Sequence, residues 1–438
     1  MSHTKGLVTM AGLALGLGAA SALAQSANQD RAYLAELVAD AQDRTSLSAA
    51  EGGHDGLFHL QSASGDYRLN IEGQLQFRYN ANFRDNPNET AQSSNFDDFE
   101  TGFQTRRTKL FFSGNVYNEN LTFMIVGDFG GNEEGNDFQG RPSGGFAGGG
   151  TFTLRDAWVR YQLDNGIGIG WGQFKLPILR EETVDSRYQL LADRSLTNEV
   201  FNQDYSQGVW LDYTAEDWRT VIAFSDGIRT ANTDFNSAAE ADYALTGRFE
   251  WKWAGDWDRF NDFTSFRGSE YAGELGAAIH FQESPNTNFA GETNTQLLLY
   301  TVDATVEGDG WNLYAAFIGQ HVSGRAGGGD TPNIDNFGAV VQGGIFVTDD
   351  IEVFARYDII IPDDSTFSAD TFSTITGGAN YYFIPESHAA KLTADVQVFL
   401  DDESEGAPFV AGDITGINRL SDVSDSQVAF RLQFQLLF

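Results

Sequence analysis

The sequence contains no cysteine among its 438 residues. Disulfide bonds, thiolate catalysis and thiolate metal sites are therefore excluded. The six histidines are scattered, and no group of acidic residues has the spacing of a calcium-binding loop. We therefore expect neither a cofactor nor a bound metal, and no catalytic residues are predicted.

Long apolar segments are also missing. After residue 24 no run of about 18 apolar residues occurs, which excludes a transmembrane helix. The short apolar segment 7–17 follows Lys5 and precedes the Ala22-Leu23-Ala24 cleavage pattern. These features predict a signal peptide over residues 1–24 that is cleaved when the chain leaves the cytoplasm.

Basic residues are few. The chain has 27 Lys and Arg against 62 Asp and Glu, which gives a net charge of −35. A chain this acidic is a poor candidate for binding nucleic acid or an anionic lipid surface. Its simplest meaning is solubility, or adaptation to a salty environment.

One helix is predicted before the main body of the chain. In residues 29–43, apolar side chains recur at helical spacing, at Leu34, Leu37, Val38 and Ala41. A linker rich in Ser, Ala and Gly follows to residue 64. We interpret 25–64 as a periplasmic helix and linker, in which the helix either pairs with copies of itself or lies at the periplasmic mouth of the protein.

From residue 67 the pattern has a period of two. Apolar side chains from Tyr67 to Phe83 alternate with polar ones from Arg68 to Asn82. The last segment, 426–438, alternates in the same way and ends on Phe438, which resembles the C-terminal recognition signal of Gram-negative outer-membrane barrels. A strand this long with one apolar and one polar face is typical of a tilted membrane strand with lipid outside and water inside.

Sixteen such strands are predicted in residues 65–438, and their number is even, as in closed bacterial barrels. Tight turns such as 164–166 and 308–310 alternate with long connections such as 130–151 and 176–204, and only the connection 254–269 breaks the rule. The predicted fold is all-β: a 16-stranded antiparallel transmembrane β-barrel with a short N-terminal helix. The predicted strands are 67–83, 103–116, 121–129, 152–163, 167–175, 205–213, 218–226, 241–253, 270–282, 294–306, 311–320, 336–346, 351–359, 372–383, 391–400 and 426–438.

The basic residues lie mostly before residue 250. Strand alternation places many of them on the inner face, but Arg106 would face lipid unless it sits at the rim or a bulge turns it inward. Two interpretations are open: a basic stripe that attracts anions, or arginines that pair with acids and keep the wall polar. The candidate anion-binding and constriction residues are Arg78, Arg106, Arg107, Lys109, Arg160, Lys175, Arg180 and Arg187.

The connection 176–204 combines charged residues with apolar ones such as Ile178 and Leu190. A long loop with its own apolar side chains is expected to pack against something. We favour a loop that folds into the barrel and narrows it, and the alternative is packing against a neighbouring subunit.

Three segments, TRRTKLFFSG at 105–114, DAWVRY at 156–161 and GWGQFKLP at 170–177, together resemble the phosphate-selective porin O and P family. The resemblance covers residues 65–438 and is densest between 100 and 210. It implies a homotrimer of 16-stranded barrels in the outer-membrane lipid, an inward-folded third loop and transport of small inorganic anions. By position, Arg106 and Arg107 resemble the basic constriction pair of that family.

The predicted function is passive diffusion of small solutes, with inorganic anions such as phosphate as the first hypothesis. A weakly selective or cation-preferring porin is an alternative, because the outer loops are acidic. An outer-membrane enzyme or structural protein is a second alternative, although no nucleophile with a partnered base is visible. A soluble secreted hydrolase does not account for the alternating loop lengths.

Overall fold

The computed structural model describes residues 51–54, 58–83, 99–130, 152–235, 237, 240–284, 294–326, 329–330, 333–364, 371–401 and 427–438. The predicted signal peptide 1–24 and helix 29–43 lie outside these residues and stay predictions. All the predicted strands fall within the described part of the chain except for residue 426, the first residue of the last strand.

The structure contains sixteen long strands. Each of them confirms one strand predicted from the alternating pattern, with small differences at the ends. The largest change at a strand start is at the second strand, which begins at Phe99 rather than at residue 103. The strands are β1 Arg68–Phe83, β2 Phe99–Asn115, β3 Leu121–Asp128, β4 Thr153–Gln162, β5 Ile167–Lys175, β6 Tyr205–Thr214, β7 Trp218–Ser225, β8 Tyr243–Ala254, β9 Ala272–Ser284, β10 Asn294–Gly308, β11 Trp311–Ala326, β12 Ile334–Phe346, β13 Ile351–Ile361, β14 Phe372–Tyr382, β15 Ala390–Phe399 and β16 Val428–Leu437.

The sheet closes on itself. Each strand pairs antiparallel with the next, and β16 pairs with β1 from Val428 opposite Phe83 to Leu437 opposite Gln74. Beyond this register the backbone of Phe438 exchanges two hydrogen bonds with Gly73, at 2.7 and 3.2 Å. This pairing joins the first strand to the last, so neither of them forms an open edge over this register.

Two short strands precede β1 in a segment that we interpreted as linker. Residues Glu51–His54 pair with Phe58–Gln61, and Phe58–Gln61 pair in turn with β1 at Arg68–Ile71. This part of β1 extends past the end of β16, and the added strand satisfies backbone groups that would otherwise be unpaired. The linker interpretation is corrected for these residues.

The two faces of the wall have opposite character. Phe77 of β1 and Phe434 of β16 are exposed on the outer face, whereas Arg78 and Gln433 beside them are buried inside. An apolar outer surface around a polar interior is the arrangement of a barrel in lipid.

The two ends of the barrel differ in their connections. Most connections at one end are tight turns, such as 163–166, 215–217 and 309–310, and we call this the short-turn end. The exception, 255–271, contains the 3₁₀ helix Trp257–Phe260. The remaining described helices belong to the long connection between β5 and β6: α1 Arg180–Thr183, the 3₁₀ helix Ser186–Tyr188 and α2 Leu196–Phe201.

None of the helices among the described residues is long and apolar enough to cross a membrane.

Candidate functional site

The connection between β5 and β6, residues 176–204, lies inside the barrel, and we call it the inward loop. Its apolar side chains Leu176, Ile178 and Leu196 are fully buried. They form one hydrophobic cluster with wall residues such as Leu299 of β10 and Ile360 of β13. The prediction of a loop that folds into the barrel is therefore confirmed, and hydrophobic burial holds the loop there.

Short capped helices fix the path of the inward loop. Ser195 accepts a hydrogen bond from the backbone N–H of Asn198 at 2.9 Å and so caps α2. The Ser195 hydroxyl donates in turn to Glu181 at 2.6 Å. Asp185 accepts from the backbone N–H of Arg187 at 2.9 Å at the start of the 3₁₀ helix. These caps satisfy helix N-termini that lie away from bulk water.

Wall side chains also bind the backbone of the loop. Lys391 of β15 donates to the carbonyl of Gln189 at 2.8 Å, and Asn380 of β14 donates to that of Leu190 at 2.9 Å. Arg356 of β13 donates to the carbonyl of Asp193 at 2.9 Å. The loop is thus held at several points around the lumen.

The strongest concentration of charge is where the loop meets β1 and β2. Arg78 donates to Asp193 at 2.6 Å and Arg107 donates to the same carboxylate at 3.2 Å. Arg106 lies 3.5 Å from it. We call Arg78, Arg106, Arg107 and Asp193 the arginine–Asp193 cluster, and all four side chains are buried. It places three positive charges around one negative charge.

A β-bulge places both neighbouring arginines in this cluster. In the β1–β2 ladder Gln76 lies opposite Arg107 and Phe77 lies opposite Thr105, so Arg106 is the extra residue between them. Arg106 and Arg107 are 1% and 4% exposed, although consecutive strand residues normally face opposite sides. Strict alternation would place Arg106 on the lipid face, and the bulge turns it toward the lumen instead.

The cluster keeps Asp193 ionised. Burial by itself would raise the pKa of Asp193, but Arg106, Arg78 and Arg107 outweigh burial and hold it well below its ordinary value. Next to Asp193 in the loop, the backbone N–H of Ala192 donates a hydrogen bond of 3.2 Å to the carboxylate of Asp395 in β15.

A second group of charges lies in the interior of β2 and at the ends of β3 and β5. Lys109 is 3.5 Å from Asp128, and Lys175 is 2.5 Å from Glu182 of the loop. Glu182 also pairs with Arg194 at 3.2 Å. Burial opposes ionisation of Glu182, but Arg194 and Lys175 prevail and lower its pKa to about 2.

Arg187 connects the loop to the short-turn half of the wall. Its guanidinium is 2.6 Å from Glu72 and 3.0 Å from Asp185, and it stacks on the ring of Phe111 at 3.9 Å. Burial opposes its charged form, but Asp185 and Glu72 raise the pKa of Arg187 above its ordinary value. The side chain is therefore held in place while part of it remains exposed.

Two predicted site residues lie apart from these groups. Arg160 pairs with Asp212 at 2.5 Å near the short-turn end of β4. Arg180 pairs with Glu274 of β9 at 2.6 Å and donates to the carbonyl of Phe260 at 2.6 Å. The structure thus brings together Arg78, Arg106 and Arg107 and places Lys109 and Lys175 against the inward loop. Arg187 and Arg180 belong to that loop, and Arg180 and Arg160 lie apart from the arginine–Asp193 cluster.

Some contributors were not predicted as site residues. Asp193 is one of several charged residues in the loop, and no sequence signal places it against β1 and β2. Arg431 of β16, paired with Asp395 at 2.7 Å, could have been found from strand alternation, because it falls on the polar face of the last strand.

The open part of the lumen lies on one side of the loop. Most side chains of the inward loop are buried, but Thr183 is exposed and Asp185 and Arg187 are partly exposed. Lys109 and Lys175 on the facing wall are also partly exposed. A small solute in this space meets Asp185 and Arg187 on the loop and Lys109 and Lys175 on the wall, so the balance of these charges sets the local field.

Residues 74–401 match the family described as phosphate-selective porin O and P. No curated protein matches the chain in sequence.

Solved structures of porins share the fold. The anion-selective porin from Comamonas acidovorans has a TM-score of 0.54 and 13% identity, with 84% of this chain and 99% of that chain covered. The outer-membrane channel DcaP of Acinetobacter baumannii has a TM-score of 0.54 and 12% identity, with 86% and 99% covered. OmpF of Salmonella typhi, in complex with daunomycin, has a TM-score of 0.51 and 12% identity, with 85% and 98% covered. At these identities the likeness concerns the fold.

Proposed function

The chain belongs to the phosphate-selective porin O and P family, and we propose that it lets small inorganic anions such as phosphate diffuse passively through its barrel. The family and the closed barrel are those of channels in the outer membrane of Gram-negative bacteria, and such channels are not enzymes. The preference for anions is the part that we propose.

The arginine–Asp193 cluster carries this proposal. Three guanidinium groups surround one carboxylate, and all of them are buried where the inward loop meets the wall. Buried charges are screened less by salt than exposed ones, so the excess of positive charge extends into the adjoining space. An anion that passes there is stabilised, and a cation is repelled.

The partly exposed cations also favour the passage of anions. Lys109, Lys175 and Arg187 lie along the open side of the inward loop, where a hydrated anion could reach them. Weak binding at several successive positions allows a solute to enter and also to leave.

A weakly selective or cation-preferring porin is the second candidate, and one observation favours it. Each of these three cations is paired with an acid: Lys109 with Asp128, Lys175 with Glu182 and Arg187 with Glu72. The net charge of −35 adds a negative field around the barrel.

Three further proposals rest on the sequence. We propose that residues 1–24 are a cleaved signal peptide and that 25–64 begin with a periplasmic helix. The resemblance to the family leads us to propose a homotrimer.

The reversal potential of the purified protein in a planar bilayer with a KCl gradient tests the proposal. We expect anion selectivity, a chloride current that falls when phosphate is added, and reduced selectivity in Arg107→Gln. The matched control is Glu216→Gln, because Glu216 is exposed in the tight turn 215–217. Cation selectivity without phosphate block would refute the anion preference, and no conductance would refute the channel itself.

A further inference from the structure

The connection 255–271 runs across the short-turn mouth of the barrel, and we call it the cross-segment. At one end Trp257 donates to the carbonyl of Ala215 in the β6–β7 turn at 3.0 Å. Further along, Arg267 donates to the carbonyl of Phe346 of β12 at 2.7 Å. Asp262 of the cross-segment lies 3.2 Å from His388, which belongs to the β14–β15 turn. The cross-segment therefore reaches from the β6–β7 turn to the β14–β15 turn.

The cross-segment also meets the inward loop inside the barrel. The backbone N–H of Phe263 donates to the carbonyl of Tyr188 at 3.2 Å. Arg180 of the loop donates to the carbonyl of Phe260 and lies 5.5 Å from the centre of the Phe263 ring. Phe263 is buried in one hydrophobic cluster with Leu190 and Leu191 of the loop. Two segments that enter from opposite ends thus form one packed body.

This body fills one side of the lumen near the short-turn end. The inward-facing side chains Glu307 of β10, Glu352 of β13 and Tyr382 of β14 are 1%, 0% and 1% exposed. On the other side the side chains of Arg160 of β4 and Asp212 of β6 are 25% and 17% exposed. All five lie near the same end of their strands, so the contrast reflects what covers them rather than depth in the barrel.

We propose that the cross-segment and the inward loop together confine the solute path to the side of β1–β6, where Glu72, Arg160 and Asp212 line its short-turn exit. This inference rests on the proposed function, because it concerns the route of the diffusing solute. It makes Arg160 and Asp212 determinants of selectivity at a position separate from the arginine–Asp193 cluster. The wall of β10–β14 at this end takes no part in permeation.

A pair of matched threonines tests the route. Thr122 lies opposite Arg160 in the β3–β4 ladder and is partly buried, whereas Thr305 of β10 faces the filled side and is 2% exposed. The chain has no cysteine, so Thr122→Cys and Thr305→Cys each introduce a single thiol. Both are treated with a sulfonate-bearing methanethiosulfonate reagent, and labelling is followed by mass spectrometry and by conductance.

The reagent should label Thr122→Cys and reduce the conductance of that variant. Labelling of Thr305→Cys should be at least about tenfold slower, because the reagent reaches this thiol only when the packed segments open locally. Equal labelling of both positions, or faster labelling at Thr305→Cys, would overturn the proposal. Met124→Cys and Thr376→Cys repeat the comparison on the two sides if a first variant fails to fold. Labelling reports the route even without conductance, so failure of the channel function is distinguished from failure of the route.

Discussion

Arg78 of β1 donates a hydrogen bond of 2.6 Å to Asp193 in the inward loop, and both side chains are almost completely buried. The same guanidinium donates to the carbonyl of Ala192 at 2.8 Å and to Gln433 of β16 at 2.7 Å. Arg78 therefore connects the loop to the seam where the barrel closes. Asp193 acts as the internal counter-ion of the arginines that surround it.

Asp193→Asn should make the channel more selective for anions and loosen the loop. The substitution removes a carboxylate that contacts Arg78, Arg106 and Arg107, and breaking a buried ion pair typically costs about 3–5 kcal/mol. In a planar bilayer we expect the reversal potential to move closer to the equilibrium potential of chloride, and the current to become noisier. Glu216→Gln changes the net charge by the same amount outside the lumen and should change neither. A shift toward cations in Asp193→Asn would contradict the prediction.

Arg106→Leu tests the bulge. If Arg106 faces the lumen as the structure shows, the substitution should reduce anion preference about as much as Arg107→Leu and should not stabilise the barrel. If the side chain faced lipid, leucine would stabilise the folded barrel by about 2–4 kcal/mol and leave selectivity unchanged. Reversal potentials and the temperature of unfolding in detergent separate these outcomes. Phe103→Leu, on the exposed outer face of the same strand, is the control.

Acid should loosen the inward loop through Glu182. The pKa of this carboxyl is about 2 in the folded loop against an ordinary value of 4.5, so its stabilising effect is complete above about pH 4.5 and is lost as the pH falls toward 2. The full shift corresponds to roughly 3 kcal/mol. We expect current fluctuations to increase as the pH falls from about 4.5 toward 2.

Glu182→Gln is the matched variant for this pH dependence. It should show increased fluctuations already at neutral pH and a smaller further change on acidification, because the titrating group has been removed. An identical pH profile in both proteins would assign the acid response to other carboxyl groups.

Gly73→Val should weaken closure of the barrel. A Cβ at this position would overlap the ring of Phe438, which pairs with Gly73 at the seam. Overpacking of this kind typically costs about 1–3 kcal/mol. We expect the folded band in a detergent gel to convert to the unfolded form at a lower temperature than in the wild type. Gly247→Val in β8 is the control, since nothing lies within 4 Å of its added Cβ. If the folded bands of both variants convert at the same temperature, the contact between Gly73 and Phe438 has no special role in closure.

The sequence by itself determined the barrel. Alternation such as that from Tyr67 to Phe83 separates an apolar face from a polar one, and a strand of this length with those faces is typical of a barrel between lipid and a polar interior. The alternation of tight turns with long connections determined the strand order, and the apolar residues of 176–204 indicated a loop that must be buried. These signals are local, so one chain without its relatives suffices to read them.

Only the tertiary structure decided what the charges do. Asp193 is 115 residues from Arg78, and their contact depends on how the loop folds inside the closed barrel. The inward direction of Arg106 depends on a single extra residue in the β1–β2 ladder, which alternation cannot reveal. The cross-segment broke the pattern of turn lengths in the sequence, but its course across the mouth follows from contacts with strands far along the chain. Charge pairing inside a barrel is set by distances between remote segments, and sequence periodicity carries no information about those distances.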